Sequence, residues 1–306
     1  MLQDPVRLAV HLALLVALPP LLPGVIEKTK AVLAGRRGPP VLQGYYDLAK
    51  LLRKGLVLSR TTTWLFPAGP VTALATAWLA GLVVPLAWPT APLGFVGDPI
   101  LFAYLLALGR FFTTAAALDT GSSFEGMGAA REATFACLTE AAVFFGFLTL
   151  AKLGGTLRLA EMLNVGVAAA WGAGSASLVL IGASLFVVLL AENSRIPFDD
   201  PNTHLELTMV HEVMVLDHSG PLLGLVSYGS AVKLFLFSAV LLRATLPVAT
   251  GVPAVELGAF VGGILAVAVG VGVVESSMAR LRLIHVPALL VGACVLSAFA
   301  FLLVLH

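Results

Sequence analysis

The segment from Glu192 to Gly220 is the richest stretch of this sequence in side chains that could exchange protons. It reads ENSRIPFDDPNTHLELTMVHEVMVLDHSG and contains six carboxylates, three histidines and one arginine, although charged residues make up only 11% of the chain. Histidine titrates near neutral pH, and a carboxylate beside it can hold or release a proton. The composition of this segment therefore indicates proton transfer or the docking of a charged partner.

The three histidines of this segment, His204, His211 and His218, recur at intervals of seven residues. On a helix, two turns would separate successive rings by about 10 Å, which is too far for one metal ion to be held by all three. The pair His211-Glu212 also lacks the second histidine of an H-E-x-x-H zinc motif. We therefore expect no metal site here.

Charged residues also stand within long apolar runs, at Arg110, Glu140 and Lys233. An ionised group at membrane depth is costly unless it is paired, hydrated or neutralised. Arg110 is the obvious partner for Glu140, and a static pair that ties two helices together is one interpretation. Ionisable groups inside membranes usually mark ion paths, which favours a proton-relay role for Glu140. Glu275 lies at the end of another apolar run. A salt bridge to Arg280 or Arg282 is the simpler explanation for a charge at that position.

The apolar runs define the class of protein. Hydrophobic residues make up 59% of the 306 residues, and charged residues are far below the proportion of about 25% in soluble domains. Eight runs approach the length of roughly 20 residues that crosses a bilayer as a helix. They cover residues 6–26, 67–87, 99–118, 132–151, 173–191, 222–242, 256–275 and 286–305. We predict an all-α polytopic membrane helix bundle that forms a single integral-membrane domain over residues 1–306.

The same composition excludes other classes. Without a soluble domain we expect no nucleic-acid binding, and two cysteines are too few for an iron–sulfur ligand set. Twelve of the lysines and arginines outside the apolar runs fall on one side of the membrane and four on the other. The positive-inside rule then puts both termini outside and the loops 27–60, 119–131 and 192–220 together on the cytoplasmic face.

Local patterns predict how the first two loops fold. Prolines near the inner end of the first run predict a kink there. Gly38 and the two prolines after it break the first loop, and residues 42–54 then form an amphipathic surface helix. That helix could bind anionic lipid or dock a partner, and residue chemistry alone leaves both interpretations open. The glycine-rich second loop is predicted to turn, with Ala129–Glu132 opening the fourth span.

Prolines also divide the third loop. Pro197 interrupts the preceding helix, because a proline disfavours helix at the residue before it. Asp200 then caps a new helix with Pro201 in its first turn. We expect this helix to continue to about Leu216, ahead of a turn that leads into the sixth span.

Three of these stretches, in this order, resemble the loop motifs of the subunit-one family of respiratory complex I. They are GRRGPP followed by LQGYYDLAKLLRKG, then SSFEGMGAARE, then AENSRIPFDDPNTHLELTMVHEVMVLDHSG. Within that family the sequence is more similar to the membrane subunits of formate hydrogenlyase and related energy-converting nickel–iron hydrogenases. The residues at Asp200–His204 and Asp217-His218 depart from the complex I pattern, which argues against quinone binding.

The resemblance implies a non-catalytic subunit of an oxidoreductase complex in the prokaryotic cytoplasmic (inner) membrane. Such a subunit anchors a peripheral redox arm and links its electron transfer to proton or sodium movement. The implied partners are hydrogenase large and small subunits, an iron–sulfur subunit, antiporter-like membrane subunits and the lipid bilayer. Nickel–iron and iron–sulfur centres are expected in those subunits, and no cofactor or metal is expected in this chain.

The buried charges and the resemblance together select the candidate site residues. The proton-path candidates are Arg110, Glu132, Glu140, Glu192, Glu206, Glu212, Lys233 and Glu275. The candidates for docking the peripheral arm are Arg36, Arg37, Gly38, Pro39, Glu125, Arg131, Arg195, Pro197, Asp199, Asp200, His204 and Asp217.

Two other functions stay open at this point. One is a quinone-chamber subunit of a respiratory NADH dehydrogenase-like complex, and the other is a stand-alone secondary transporter. A transporter usually shows paired, broken helices in two repeated halves. The sequence contains no convincing repeat, and its motif-rich loops share one face, which favours docking over alternating access.

Overall fold

A computed structural model describes residues 4–172, 176–199, 209–246 and 250–305. Within these ranges the chain is helical and contains no strand, which confirms the all-α prediction. The α-helices are α1 (Pro5–Ala17), α2 (Leu21–Leu33), α3 (Gln43–Arg53), α4 (Leu65–Val83), α5 (Asp98–Asp119), α6 (Ser123–Gly154), α7 (Leu159–Glu161), α8 (Val167–Gly172), α9 (Ala176–Glu192), α10 (Gly220–Thr245), α11 (Pro253–Ser277) and α12 (Val286–Leu305). A π-helical stretch, Met162–Gly166, joins α7 to α8, and a 3₁₀ turn, Leu283–His285, leads into α12.

Six of the described helices are long and apolar enough to cross a membrane: α4, α5, α6, α10, α11 and α12 with its leading turn. Helices α1 and α2, which meet at a bend of 49°, are long and apolar enough for a seventh span if the two count as one. The remaining predicted span, residues 173–191, corresponds to α9, which is apolar but has only 17 residues in the described part of the chain. The helices support the prediction of a polytopic membrane bundle.

The bend between α1 and α2 falls at consecutive prolines, where the sequence predicts a kink. Proline has no N–H group, so carbonyl groups at the end of α1 lose their helical partners. Tyr228 on α10 donates its hydroxyl to the carbonyl of Val16 over 2.8 Å, and Tyr45 on α3 donates to the carbonyl of Ala17. Three separate segments are therefore joined at the bend.

Helix α6 begins at Ser123, so the predicted turn across the glycine-rich second loop is wrong. Glycine lowers helix stability by up to about 1 kcal/mol relative to alanine, but it also permits close approach of another backbone. A Cβ atom on Gly128 would lie 2.4 Å from a side-chain methyl of Val213 and 2.9 Å from the carbonyl oxygen of Val210. The glycine therefore allows α6 to pack against the third loop.

The described end of the third loop does not form the predicted helix that continues to Leu216. Residues 209–211 are non-helical, and Glu212–Val215 form a single 3₁₀ turn. The physical reason is that two backbone N–H groups in this stretch donate to a side-chain carboxylate instead of to a carbonyl four residues earlier. The predicted start of the helix, Asp200 and Pro201, lies outside the described residues.

The bundle is built around α10, most of whose second half is buried. The charged helix ends meet on one face. Asp119, at the end of α5, accepts hydrogen bonds from Thr63 ahead of α4, and Glu275 near the end of α11 pairs with Lys30 on α2. Helix α3 lies on the same face and corresponds to the predicted amphipathic helix. The cytoplasmic orientation of this face stays a prediction.

Candidate functional site: a buried ionic network

Arg110 on α5 lies at the centre of an ionic network. Its guanidinium contacts three carboxylates, with nitrogen–oxygen distances of 2.7 Å to Glu192, 2.5 Å to Glu140 and 3.3 Å to Glu132. The side chains of Arg110, Glu132 and Glu192 are at most 13% exposed, whereas that of Glu140 is 43% exposed. The network therefore connects the interior of the bundle with its outer wall.

Glu192 is the most enclosed carboxylate of the network, with a side chain that is 5% exposed. Lys233 on α10 lies 2.8 Å from it, and Thr139 on α6 donates its hydroxyl over 2.5 Å. A buried ion pair repays its desolvation only when its remaining polar atoms are also bonded. Three helices besides α9 therefore supply the partners that keep this carboxylate inside the bundle.

His211 stands at one end of the network. Its Nδ1 atom lies 3.9 Å from the Oε2 atom of Glu132, and its side chain is 23% exposed. The network holds three carboxylates and two cations, so one negative charge is left over. A proton on His211 or on one of the carboxylates would neutralise it. The arrangement can therefore hold one exchangeable proton.

Small cavities adjoin these side chains. One has a volume of about 60 Å³ and is lined by Arg110, Glu132, His211 and Lys233 together with residues of α4, α5 and α10. Two further cavities of about 20 Å³ each include Glu192 in their lining. Spaces of this size next to polar groups can accommodate water. Water in these spaces can therefore bridge groups of the network that are not in direct contact.

Small residues let α4 and α5 approach closely enough to enclose Arg110. A Cβ atom on Gly109 would lie 2.6 Å from the hydroxyl of Thr76, and one on Gly69 would lie 2.7 Å from the Cβ of Ala116. Close backbone approach at glycine is a general means of packing membrane helices. Gly109 precedes Arg110, so this contact fixes the point from which the guanidinium extends.

Glu275 belongs to a second ionic cluster and does not pair with Arg280 or Arg282 as predicted. Its carboxylate lies 2.9 Å from the Nζ atom of Lys30 and 3.5 Å from a guanidinium nitrogen of Arg195. The expectation from neighbouring residues fails because Glu275 is still helical and faces α2. Glu275 therefore joins α11 to α2 and to the start of the third loop.

Asp199 ties the third loop to the loop between α11 and α12. One carboxylate oxygen lies 2.9 Å from Arg280, and the other accepts hydrogen bonds from the backbone N–H groups of Val210 and His211 at 2.9 and 3.1 Å. The carbonyl of Pro197 accepts a hydrogen bond from Leu281 in the same region. Asp199 thereby positions the backbone of His211 beside Glu132.

The predicted docking residues differ in accessibility. Those on the exposed surface are Arg36, Arg37, Gly38, Pro39 and Asp217, whereas Arg131 and Arg195 are half-buried. Glu125, Pro197 and Asp199 are buried, so they can only support a docking surface from beneath. Glu125, for example, accepts a hydrogen bond from the backbone N–H of Asp217 over 3.2 Å. Asp200, His204 and Glu206 lie outside the described residues.

The last histidine of the third loop occupies a different environment from His211. The ring of His218 is buried and stacks on Phe66 of α4, with 4.1 Å between the ring centroids. Burial lowers the pKa of His218 below its ordinary value. The two histidines do not share one helical face, because the chain between them is not a continuous helix. His218 therefore belongs to the packing of the loop.

The sequence did not point to Thr139 or Lys30 as members of the site, and Arg280 was expected beside Glu275, whereas it pairs with Asp199. Their residue types carry no distinctive signal, and only the packing of distant helices brings them to a carboxylate. His211 did stand out by its spacing, but the sequence does not predict that its ring lies close to Glu132. Glu212 is half-buried beside His211 and lines none of the cavities described above. In residues 4–172, 176–199, 209–246 and 250–305, no group of three or more His, Cys, Asp or Glu side chains is arranged to hold a metal ion.

Comparison with known proteins identifies relatives over most of the chain. Hydrogenase-4 component C of Escherichia coli (strain K12) is 31% identical over 234 residues, which are 76% of this chain and 73% of that protein. Formate hydrogenlyase subunit 4 of the same organism is 32% identical over 276 residues, 88% of each chain. NADH-ubiquinone oxidoreductase chain 1 of Hyaloraphidium curvatum is 31% identical over 170 residues, about 55% of each chain.

A solved structure and a family model extend the comparison to the whole length. A chain of the membrane-bound sulfane sulfur reductase, an archaeal respiratory membrane complex, superimposes with a TM-score of 0.81 at 21% identity and covers 97% of both chains. This match shows a shared fold. The model of the family described as NADH dehydrogenase matches residues 6–306. The chain is therefore a member of the NADH dehydrogenase subunit 1-like family.

Proposed function

We propose that this chain anchors a peripheral redox arm in a formate hydrogenlyase-like hydrogenase complex and couples its electron transfer to proton or sodium movement. The observation that carries the proposal is the continuity of the ionic network from His211, at the loop-bearing face, through Arg110 to Glu140. A static ion pair between two helices would need one carboxylate. Arg110 instead has three, and Lys233 and an adjoining cavity extend the charged region.

The exposure of Glu140 supports a membrane partner. The Glu140 side chain is 43% exposed on the wall of the bundle, about 12 Å along α6 from Glu132. A charged group facing lipid at such depth is unfavourable, so a polar surface of another membrane subunit is the environment it requires. An antiporter-like subunit placed there would contact Glu140, and a change of charge in the network would act on that subunit through Arg110 and Glu140.

The opposite end of the network supports a peripheral partner. The exposed loop residues Arg36, Arg37 and Asp217 share the face on which His211 and Asp199 lie. We propose that hydrogenase large and small subunits and an iron–sulfur subunit bind there and hold the nickel–iron and iron–sulfur centres. With the positive-inside orientation, this face is the cytoplasmic face of a prokaryotic inner membrane.

A quinone-chamber function is the second candidate, because the relatives include NADH-quinone oxidoreductase subunits H. The cavity beside Arg110 measures about 60 Å³ in the described part of the chain, whereas pockets for small organic ligands measure several hundred Å³. The size of this cavity favours water and ions over a quinone ring.

Purification of the chain from its native membrane tests the proposal. We expect co-purifying subunits that contain nickel and iron, hydrogen-dependent turnover with an artificial acceptor, and ion uptake when the complex is reconstituted in vesicles. A chain that migrates alone, without nickel or iron, would overturn the anchoring role. Turnover that requires quinone and is blocked by quinone-site inhibitors would favour the second candidate.

A further inference from the structure

We propose that the outer face of α3 binds the headgroup of an anionic phospholipid from the same membrane leaflet. Five residues of this face, Tyr46, Ala49, Lys50, Arg53 and Lys54, line one surface depression. Their spacing of three and four residues puts them on one side of the helix. A phenolic ring and three cations thus surround a single concave surface.

The cations of this depression differ from the other basic residues of the site in having no carboxylate partner. Arg110, Lys30, Arg195 and Arg280 each lie within ion-pair distance of a glutamate or aspartate. No ion pair involves the three cations of the depression in the described residues. The one carboxylate of α3, Asp47, instead accepts a hydrogen bond from Gln43. The cluster is therefore free to attract an external anion.

The opposite side of α3 fixes the helix at the level of the membrane surface. Gly44 packs over the carbonyl of Pro20 at the bend of the first span, and Leu51 packs against Gly224 near the start of α10. Lys54 and Gly55 then approach Gly220, the first residue of α10. A helix held between these two points lies at the end of the bundle, where lipid headgroups are located.

Apolar side chains accompany the cations. Leu52, Leu56, Val57 and Leu58 are all about half exposed or more. Exposed leucines beside a basic cluster are typical of a segment whose apolar side chains enter the acyl layer while its cations remain among the headgroups. The cations also suit the C-terminal end of the α3 dipole, but that role alone does not require a concave surface or exposed leucines.

Lipid binding to the full-length chain, purified with its accompanying subunits, tests this inference. The complex is stripped of lipid in detergent and then titrated with phosphatidylglycerol or phosphatidylcholine, and bound lipid is counted by native mass spectrometry. Each basic residue near an anionic surface contributes about five-fold to binding. We therefore expect phosphatidylglycerol to bind at least about tenfold more tightly than phosphatidylcholine, with a preference that weakens in high salt.

Variants locate the binding site. The combined variant Lys50→Gln, Arg53→Gln and Lys54→Gln is expected to lose the headgroup preference, and Arg53→Gln alone to lose about five-fold. Arg60→Gln removes an exposed arginine of the same loop outside the depression and is the matched control. An unchanged preference in the combined variant, or an equal loss in Arg60→Gln, would overturn the inference. Loss of a peripheral subunit with lipid binding intact would show that the face docks a protein instead.

Discussion

Arg110 and Glu140 form an ion pair at 2.5 Å, yet the side chain of Arg110 is 12% exposed and that of Glu140 is 43% exposed. The pair therefore crosses the boundary between the interior of the bundle and its outer wall. Arg110 contacts buried carboxylates and the exposed carboxylate of Glu140 at the same time. If one of these carboxylates binds a proton or contacts another subunit, Arg110 can interact more strongly with the others. This geometry makes Glu140 the outward end of the proposed path.

Replacement of Glu140 by glutamine should separate ion transfer from redox activity. We expect ion uptake by reconstituted vesicles to fall about tenfold or more, because a carboxylate that takes part in proton transfer commonly contributes at least that factor. Hydrogen turnover with an artificial acceptor should persist. Glu161→Gln, which removes an exposed carboxylate from a surface pair with Arg158, is the control. If uptake were unchanged in Glu140→Gln, Glu140 would have only a structural role.

Removal of Arg110 should destabilise the chain. Arg110→Met leaves three neighbouring carboxylates with only Lys233 and His211 for compensation, and breaking a buried ionic network in this way costs about 3–5 kcal/mol. We expect a lower thermal midpoint and less assembled complex in the membrane. Arg7→Met is suitable for comparison, because it removes an exposed partner of Asp4. Equal stability of the two variants would contradict the central position of Arg110.

Substitution of His211 should affect the supply of protons to Glu132. His211→Gln retains a polar side chain but cannot carry a proton near neutral pH. We expect slower ion transfer with a changed pH profile, while artificial-acceptor activity is retained. His218→Gln alters the buried histidine of the same loop and should not change that profile. A profile that changes equally in both variants would mean that the effect comes from disturbed folding of the loop.

Loss of the Asp199 carboxylate should loosen the peripheral arm. Asp199→Asn retains one acceptor oxygen for the backbone but removes the charge that faces Arg280 over 2.9 Å. We expect partial loss of peripheral subunits on native gels, with greater loss at high salt. Asp4→Asn, in an exposed pair at the other end of the molecule, is the control. Intact complexes from Asp199→Asn would show that this pair does not contribute to docking.

Acidification should weaken the packing of His218. Burial depresses the pKa of this ring from an ordinary value of 6.5, so the folded chain binds its proton less readily than the unfolded chain. The stabilising contribution of neutral His218 is complete above pH 6.5 and decreases as the pH falls below that value. The thermal midpoint of wild type should therefore decrease more steeply between pH 7 and 5 than that of His218→Phe. Parallel curves would contradict this role.

Apolar runs and prolines were sufficient to predict the helical class, the approximate spans and the bend of the first one. These features follow from the need of a bilayer-spanning chain to satisfy its backbone internally. The start of α6 could not be predicted, because Gly128 indicates a turn by composition and serves packing against Val213 in the structure. Local pattern alone does not distinguish these two uses of glycine.

The candidate site was only partly accessible to sequence analysis. Arg110, Glu140 and Lys233 stand out because charge is rare in apolar runs, and the structure places the first two in direct contact. The pairing of Glu275 with Lys30 joins residues about 245 positions apart, so nearest-neighbour reasoning selected the wrong partners. The pairing of each carboxylate with a cation depends on how the helices pack. That packing cannot be predicted from the sequence of any single segment.

The bend between α1 and α2 constrains the order in which the helices of the bundle can assemble. Its two freed carbonyl groups receive hydroxyl groups from Tyr45 and from Tyr228, and the latter lies 212 residues away from Val16 in sequence. During synthesis the first span enters the bilayer long before α10 exists. The carbonyl of Val16 thus lacks its tyrosine partner until α10 inserts.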